Sequence, residues 1–211
     1  MARKEVQLYY RAMTAHSLSH HFLTEAYNNA WANHRLLRAC CELTPEEFRA
    51  KRTNFFPSIK ATLNHIITVD WYYLEILERS LAGLAPHPDP TRHYDPEEPF
   101  DDCAALSREQ HATDKRLIAF CAGVDDSKMD AEVLLPRRTG LERDYLRRIL
   151  AHLFEHQLHH RGQAHAMLAG TRVKPPQLDE FYCTNEAPLR AQDFAELGFD
   201  EETIWGERAR R

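Results

Sequence analysis

Glycine is scarce, with seven in 211 residues. Tight β-hairpins draw on glycine freely, so an all-β sandwich is excluded as the expectation. No apolar run approaches the ~20 residues of a membrane-spanning helix. Met1-Ala2-Arg3-Lys4-Glu5 leads into no apolar leader stretch, so a cytoplasmic protein is expected. Basic charge is not in excess: the formal net charge is -5. That argues against a broad grip on nucleic acid or on an anionic membrane, although Arg137-Arg138 and Arg147-Arg148 are local exceptions. The five cysteines are odd in number and form no C-x-x-C pair, which reads as reduced thiols. A G-x-S-x-G elbow, a P-loop and a G-x-G-x-x-G turn are all absent.

What is present is helical periodicity. From Ser17 to Leu43, the residues Leu18, Phe22, Ala26, Ala30, Asn33 and Leu37 recur at three- and four-residue spacing. Thr44-Pro45-Glu46-Glu47 announces a short helix, with a cap residue, proline at the first position and acids in the first turn. Ile59, Leu63, Ile66, Tyr73 and Leu77 mark a second long helix from Pro57-Ser58 to Leu81, and Asp70 falls on its stripe. Gly83 to Asp102 reads as a long proline-rich loop, a lid or, on the plainer reading, a surface crossover between bundle helices. A third helix is expected over Cys103–Ala122, capped by Asp101 or Asp102. Val133-Leu134-Leu135 has the look of a small strand, and Thr139-Gly140-Leu141-Glu142 reads as a capping box opening a fourth helix over Leu141–Ala169. Short helices follow Pro175-Pro176, the last starting at Asp200. The expected fold is all-α: an N-terminal arm (1–16), a four-helix bundle (17–170) and a C-terminal helical tail packed on it (171–211).

Histidine is abundant, with 13 in the chain and five of them between His152 and His165. At ~100° per residue, Leu146, Ile149, Leu150, Leu153, Ala164 and Met167 define one buried face. His160 lies inside that face and His156 at its edge. His152 and His159 swing outward, and His165 points nearly opposite. His156 and His160 therefore form an i, i+4 pair able to chelate one cation, and His65, beside the stripe of the second helix, supplies a third imidazole. Spacing alone leaves two readings open: a three-histidine metal site, or histidines satisfied in the core. If they bind metal, affinity is expected to fall as pH drops below ~6.5, where free imidazole takes up its proton. His16, His20, His21, His34, His87, His93 and His111 are scattered and read as solvated, and Cys40 and Cys41 as small core residues. Asp70 reads as an interhelical salt-bridge partner or as a carboxylate supporting the imidazoles. Trp31 and Asn33 read as pocket-facing or as packing residues.

Three stretches resemble those of the DinB-like (damage-inducible, YfiT-like) metalloenzymes. They are Tyr27 to Leu37, Phe55-Phe56-Pro57-Ser58-Ile59-Lys60-Ala61-Thr62-Leu63-Asn64-His65-Ile66, and His152 to Gln163. Pro175-Pro176-Gln177-Leu178-Asp179 is similar to the segment after their bundle. The resemblance implies an up-down-down-up bundle and one divalent metal, nickel or zinc ahead of iron or manganese, held by His65, His156 and His160. It also implies a low-molecular-weight thiol as co-substrate and a homodimer. Tyr72 and Tyr73 add to the dimer expectation, as aromatics that one stripe cannot both bury. Two departures stand out: Lys60 where many relatives carry histidine, and Trp71 where many carry arginine. The function expected is a metal-dependent transferase of the thiol S-transferase type, or a hydrolase, acting on a small molecule. The alternative is a non-catalytic metal-binding stress or damage-response protein.

Overall fold

A computed structural model describes residues 17–206. The expected arm, 1–16, lies outside the described residues, and His16 with it. Seven α-helices and one two-stranded sheet follow in order: α1 Leu18–Cys40, α2 Pro45–Arg49, α3 Ile59–Leu81, α4 Cys103–Ala122, β1 Glu132–Arg137, β2 Gly140–Tyr145, α5 Leu146–Leu168, α6 Ala187–Leu197 and α7 Glu201–Trp205. Helix starts follow local chemistry. Ser17, Thr44, Ser58, Asp102 and Asp200 each accept a backbone N–H at an N-terminus, and Thr44 with Glu47 completes a capping box.

The four long helices α1, α3, α4 and α5 form the bundle, α1 and α3 each packing on α4 and α5. Their directions follow from which side chains meet. Phe22 meets Phe154 and Asn29 meets Arg161, so α1 and α5 run together. Tyr73 meets His152 while His65 meets His156, so α3 opposes α5. Asp70 meets Gln110 and Glu78 meets Arg116, so α3 and α4 share a direction. The course is up-down-down-up. Parallel neighbours α3 and α4 oblige the chain to travel back along a helix ~35 Å long, and the proline-rich loop after α3 does this.

The fourth bundle helix begins at Leu146 rather than Leu141. Residues 132–145 instead form an antiparallel hairpin, with Leu135 opposite Glu142 and Arg137 opposite Gly140. Gly140 turns at φ 131°, a conformation open to glycine, and Val133 and Leu135 bury one face of β1 against the bundle. Thr139 and Glu142 meet side chain to side chain across this turn and cap no helix. Other corrections concern single residues. Leu18, expected inward, is exposed. Tyr72 and Tyr73 are both buried within the chain, the first donating to the Pro136 carbonyl, so they lend no support to a dimer. Cys41 is exposed at the end of α1, whereas Cys40 is core.

A buried polar layer crosses the bundle. Arg161 donates to Asn29 Oδ1 at 2.6 Å and to Asn33 Oδ1 at 3.1 Å. Asn33 and Gln110 donate to Asp114, and Gln110 and Gln157 donate to Asp70. Asp70 is therefore hydrogen-bonded by amides, and among the described residues it enters no ion-pair contact. Burial pushes the Asp70 carboxyl up to about 7 and that of Asp114 up to about 6, and it pulls the Arg161 guanidinium down to about 10.

The tail clamps α1. Trp31 is fully buried and donates to Asp193, so it faces α6 and no pocket. Arg35 stacks on Trp31 at 4.5 Å and donates to Asp193, Glu180 and the carbonyls of Gln177 and Leu189. Gly198, at φ 71°, ends α6 in the left-handed conformation.

Candidate metal centre

The antiparallel contact of α3 with α5 brings His65, His156 and His160 together. One ring nitrogen from each lies within 4.8 Å of the others, and His65 Nε2 and His156 Nε2 are 3.0 Å apart. Two imidazoles on one ion at bonds of about 2.1 Å stand no more than ~4.2 Å apart, so small side-chain shifts close the set. Loss of water on burial, with the neighbouring imidazole His160, pushes His65 down to about 4. Burial and the surrounding imidazoles push His156 down to about 3. Burial also lowers His160. All three are thus neutral at pH 7 and offer lone pairs.

The surroundings orient these rings. His160 Nδ1 lies 2.8 Å from Gln163 Oε1, which can only accept. The ring proton therefore sits on Nδ1 and Nε2 is left as a donor atom for an ion. Gln163 Nε2 in turn meets His159 Nε2 at 3.0 Å. Phe56 covers the His65 ring at 4.4 Å and the His160 ring at 5.4 Å. Beside it Phe55 is 77% exposed. Asn54 fastens this aromatic segment to the Gln163 carbonyl. His156 Nδ1 is buried with no hydrogen-bond partner among the described residues. An unmet buried nitrogen within a neutral three-imidazole set fits a borderline cation such as zinc or nickel.

The structure does not bring the other α5 histidines into the set. His152 and His159 are exposed, and His165 lies 2.8 Å from the Pro176 carbonyl, pinning the tail. His34 and His111, expected in solvent, stack on one another with 3.3 Å between nitrogens. His34, Asp193 and Glu196 also converge, but Arg35 and Arg38 already neutralise these carboxylates, so this is an ion-pair cluster that docks α6. Lys60 turns away from the imidazoles toward Asp101 and Glu98, and Trp71 donates to Thr113. Gln163 was missed as a supporting residue by spacing arguments. Its signal was there: it stands three and four residues after His160 and His159.

The profile of the DinB family matches residues 13–191. The chain belongs to the DinB family. It is similar to Protein DinB of Bacillus subtilis (strain 168), with 26% identity over 145 residues, 66% of this chain and 80% of that protein. The helical-bundle fold agrees with this membership. No helix of the described residues is long and apolar enough to cross a membrane.

Proposed function

We propose that this DinB-family chain binds one divalent ion, nickel or zinc before iron or manganese, through His65, His156 and His160. We propose further that it is a metal-dependent transferase of the thiol S-transferase type, or a hydrolase, acting on a small molecule. The observation that carries the reading is the convergence of three neutral imidazoles on one point, with three members in the set among the described residues. Three protein ligands leave a coordination position for water or substrate, as in catalytic rather than closed structural sites. Bound there, the ion would act as a Lewis acid that lowers the pKa of a thiol or water.

The chain's own residues supply the rest. Gln163 fixes the tautomer and plane of His160. Phe56 shields two of the rings from water, and exposed Phe55 offers an apolar contact to a ligand. Arg137, which donates to Tyr73, places a cation near His152 for a substrate's negative group. A homodimer in the cytoplasm is part of the proposal, and it rests on the family resemblance and the sequence reading.

The test is metal content by mass spectrometry on protein purified without an affinity tag, for six single His→Ala variants, with circular dichroism as the folding control. His65→Ala, His156→Ala and His160→Ala are expected to lose the ion and stay folded; His152→Ala, His159→Ala and His165→Ala to keep a full equivalent. Retention by the first three overturns the site. A loaded protein inert toward thiol and hydrolytic substrates leaves the metal-binding stress-protein alternative in its place.

A further inference from the structure

Apart from the histidines, two thiols stand in direct contact. Cys41 caps the C-terminus of α1 and is exposed; Cys103 is the first residue of α4 and is buried. Their Sγ atoms are 3.1 Å apart. A disulfide bond is ~2.05 Å long, so about 1 Å of approach separates contact from bond. We propose that Cys41 and Cys103 are a peroxide-oxidised, reversible disulfide pair, with Cys41 the thiol that reacts with peroxide and Cys103 the resolving one.

The division of labour follows from the surroundings. Cys41 faces solvent, where a hydroperoxide can reach it. The Cys103 S–H donates to its thiolate, and Arg108 adds positive charge; together they outweigh burial and Asp102 and hold the Cys41 thiol below its ordinary value. The same contact and burial push Cys103 up, so it remains a thiol until its partner has reacted. Cys40, although adjacent in sequence, is fully buried, and burial pushes it up to about 12. Cys121 is buried in the separate cluster with Leu117 and Val124.

The chemistry closes without another co-reactant. The Cys41 thiolate attacks the terminal oxygen of a hydroperoxide ROOH; an S–O bond forms, the O–O bond breaks, and RO⁻ leaves and takes a proton as ROH. The Cys103 sulfur then attacks the Cys41 sulfur; the S–S bond forms, the S–O bond breaks, and hydroxide leaves with the Cys103 proton as water. Two thiols and ROOH give one disulfide, ROH and water. A low-molecular-weight thiol reverses the step, two RSH becoming RSSR. The bond would tie the end of α1 to the start of α4. The segment just before Cys103 is already held to α3 by Lys60 on Asp101 and by the two-way pairing of Asn64 with Phe100. The clip therefore joins three helices at the His65 end of the bundle.

The test is titration of the full chain with hydrogen peroxide, read by intact mass, unreduced peptide mapping and thermal midpoint. The expected result is loss of about 2 Da and of two of the five thiols, one linked peptide pair containing Cys41 and Cys103, and a higher midpoint. Dithiothreitol is expected to reverse all three. Cys103→Ser should trap a dimedone-reactive sulfenic acid at Cys41, and Cys41→Ser should give neither disulfide nor adduct at Cys103. Exposed Cys183 serves as an internal reference, modified only at higher doses. Linkage through Cys40, or oxidation of Cys183 ahead of the pair, overturns the proposal. So does Cys103→Ser, folded by circular dichroism, without a Cys41 adduct.

Discussion

Replacing Arg161 with methionine removes the one cation in the buried polar layer and keeps much of its apolar stem. Two charge-assisted hydrogen bonds are lost, to Asn29 and Asn33, together worth about 3 kcal/mol. The carboxylates Asp70 and Asp114 lose their nearby positive charge. They are not trapped as bare anions, because each can take up a proton. With Asp70 pushed up to about 7 and Asp114 to about 6, neutralising both at pH 7 costs on the order of 1 kcal/mol. The loss at pH 7 is therefore about 4 kcal/mol, survivable for a domain of ordinary stability. For a chain this long the thermal midpoint should drop by about 8–16 °C.

The pH dependence distinguishes this account from mere loss of packing. Both acids have folded pKa values above their unfolded value of ~3.9, so their contribution is most favourable below pH ~4 and declines as pH rises toward the folded pKa. Removing Arg161 raises the folded values further and extends the decline upward. The difference between variant and parent should thus be smallest near pH 5, where only the hydrogen bonds are missing, and should grow from pH 6 to 8. Urea unfolding across that range measures it. A difference below about 1 kcal/mol, or one flat from pH 5 to 8, refutes the reasoning.

Gln163→Leu should leave the fold intact and weaken metal binding by about 10–100-fold, since the His160 tautomer is no longer fixed; competition with a chelating dye reads this, and unchanged affinity counts against the assignment. Burial pushes His65 down to about 4 and His156 to about 3 and also lowers His160, so protons compete with the ion below the ~6.5 of free imidazole and bound metal should be released at a lower pH than from a solvated three-histidine site; release centred on pH 6.5 in a dialysis series would contradict the burial of these rings. Arg35→Ala should cost about 2–4 kcal/mol and open the tail around Trp31, visible as a red shift of tryptophan emission; an unshifted spectrum with unchanged stability would mean that the tail docks by other contacts.

Much of this protein was legible from local signals. Ser58, Thr44 and Asp102 announced helix starts because a cap acts on backbone N–H groups two or three residues away. The inward direction of His160 followed from 3.6-residue periodicity alone. The first strand was legible in Val133-Leu134-Leu135, but its partner was misread because Thr139-Gly140-Leu141-Glu142 satisfies a capping pattern equally well; only pairing with β1, whose Val133 and Leu135 face the bundle, makes a strand the better use of that segment. Tyr72 and Tyr73 exceeded what one helix stripe can bury, yet the hairpin and the crossover loop cover them.

The sequence by itself determined the four long bundle helices, the caps at Ser58 and Thr44 and the chelating pair at 156 and 160, since these depend on neighbours within about one turn, whereas the start of the last bundle helix was set by the hairpin before it. Tertiary structure decided which distant groups meet. The antiparallel contact of α3 with α5 set His65 against His156; the fold of the tail took Trp31 and His34 out of solvent; and the approach of α1 to α4 put Cys41 on Cys103. These separations, 91, 162 and 62 residues, lie far beyond any local periodicity. Contacts at that range are settled by burial of the shared core, which no single helix encodes.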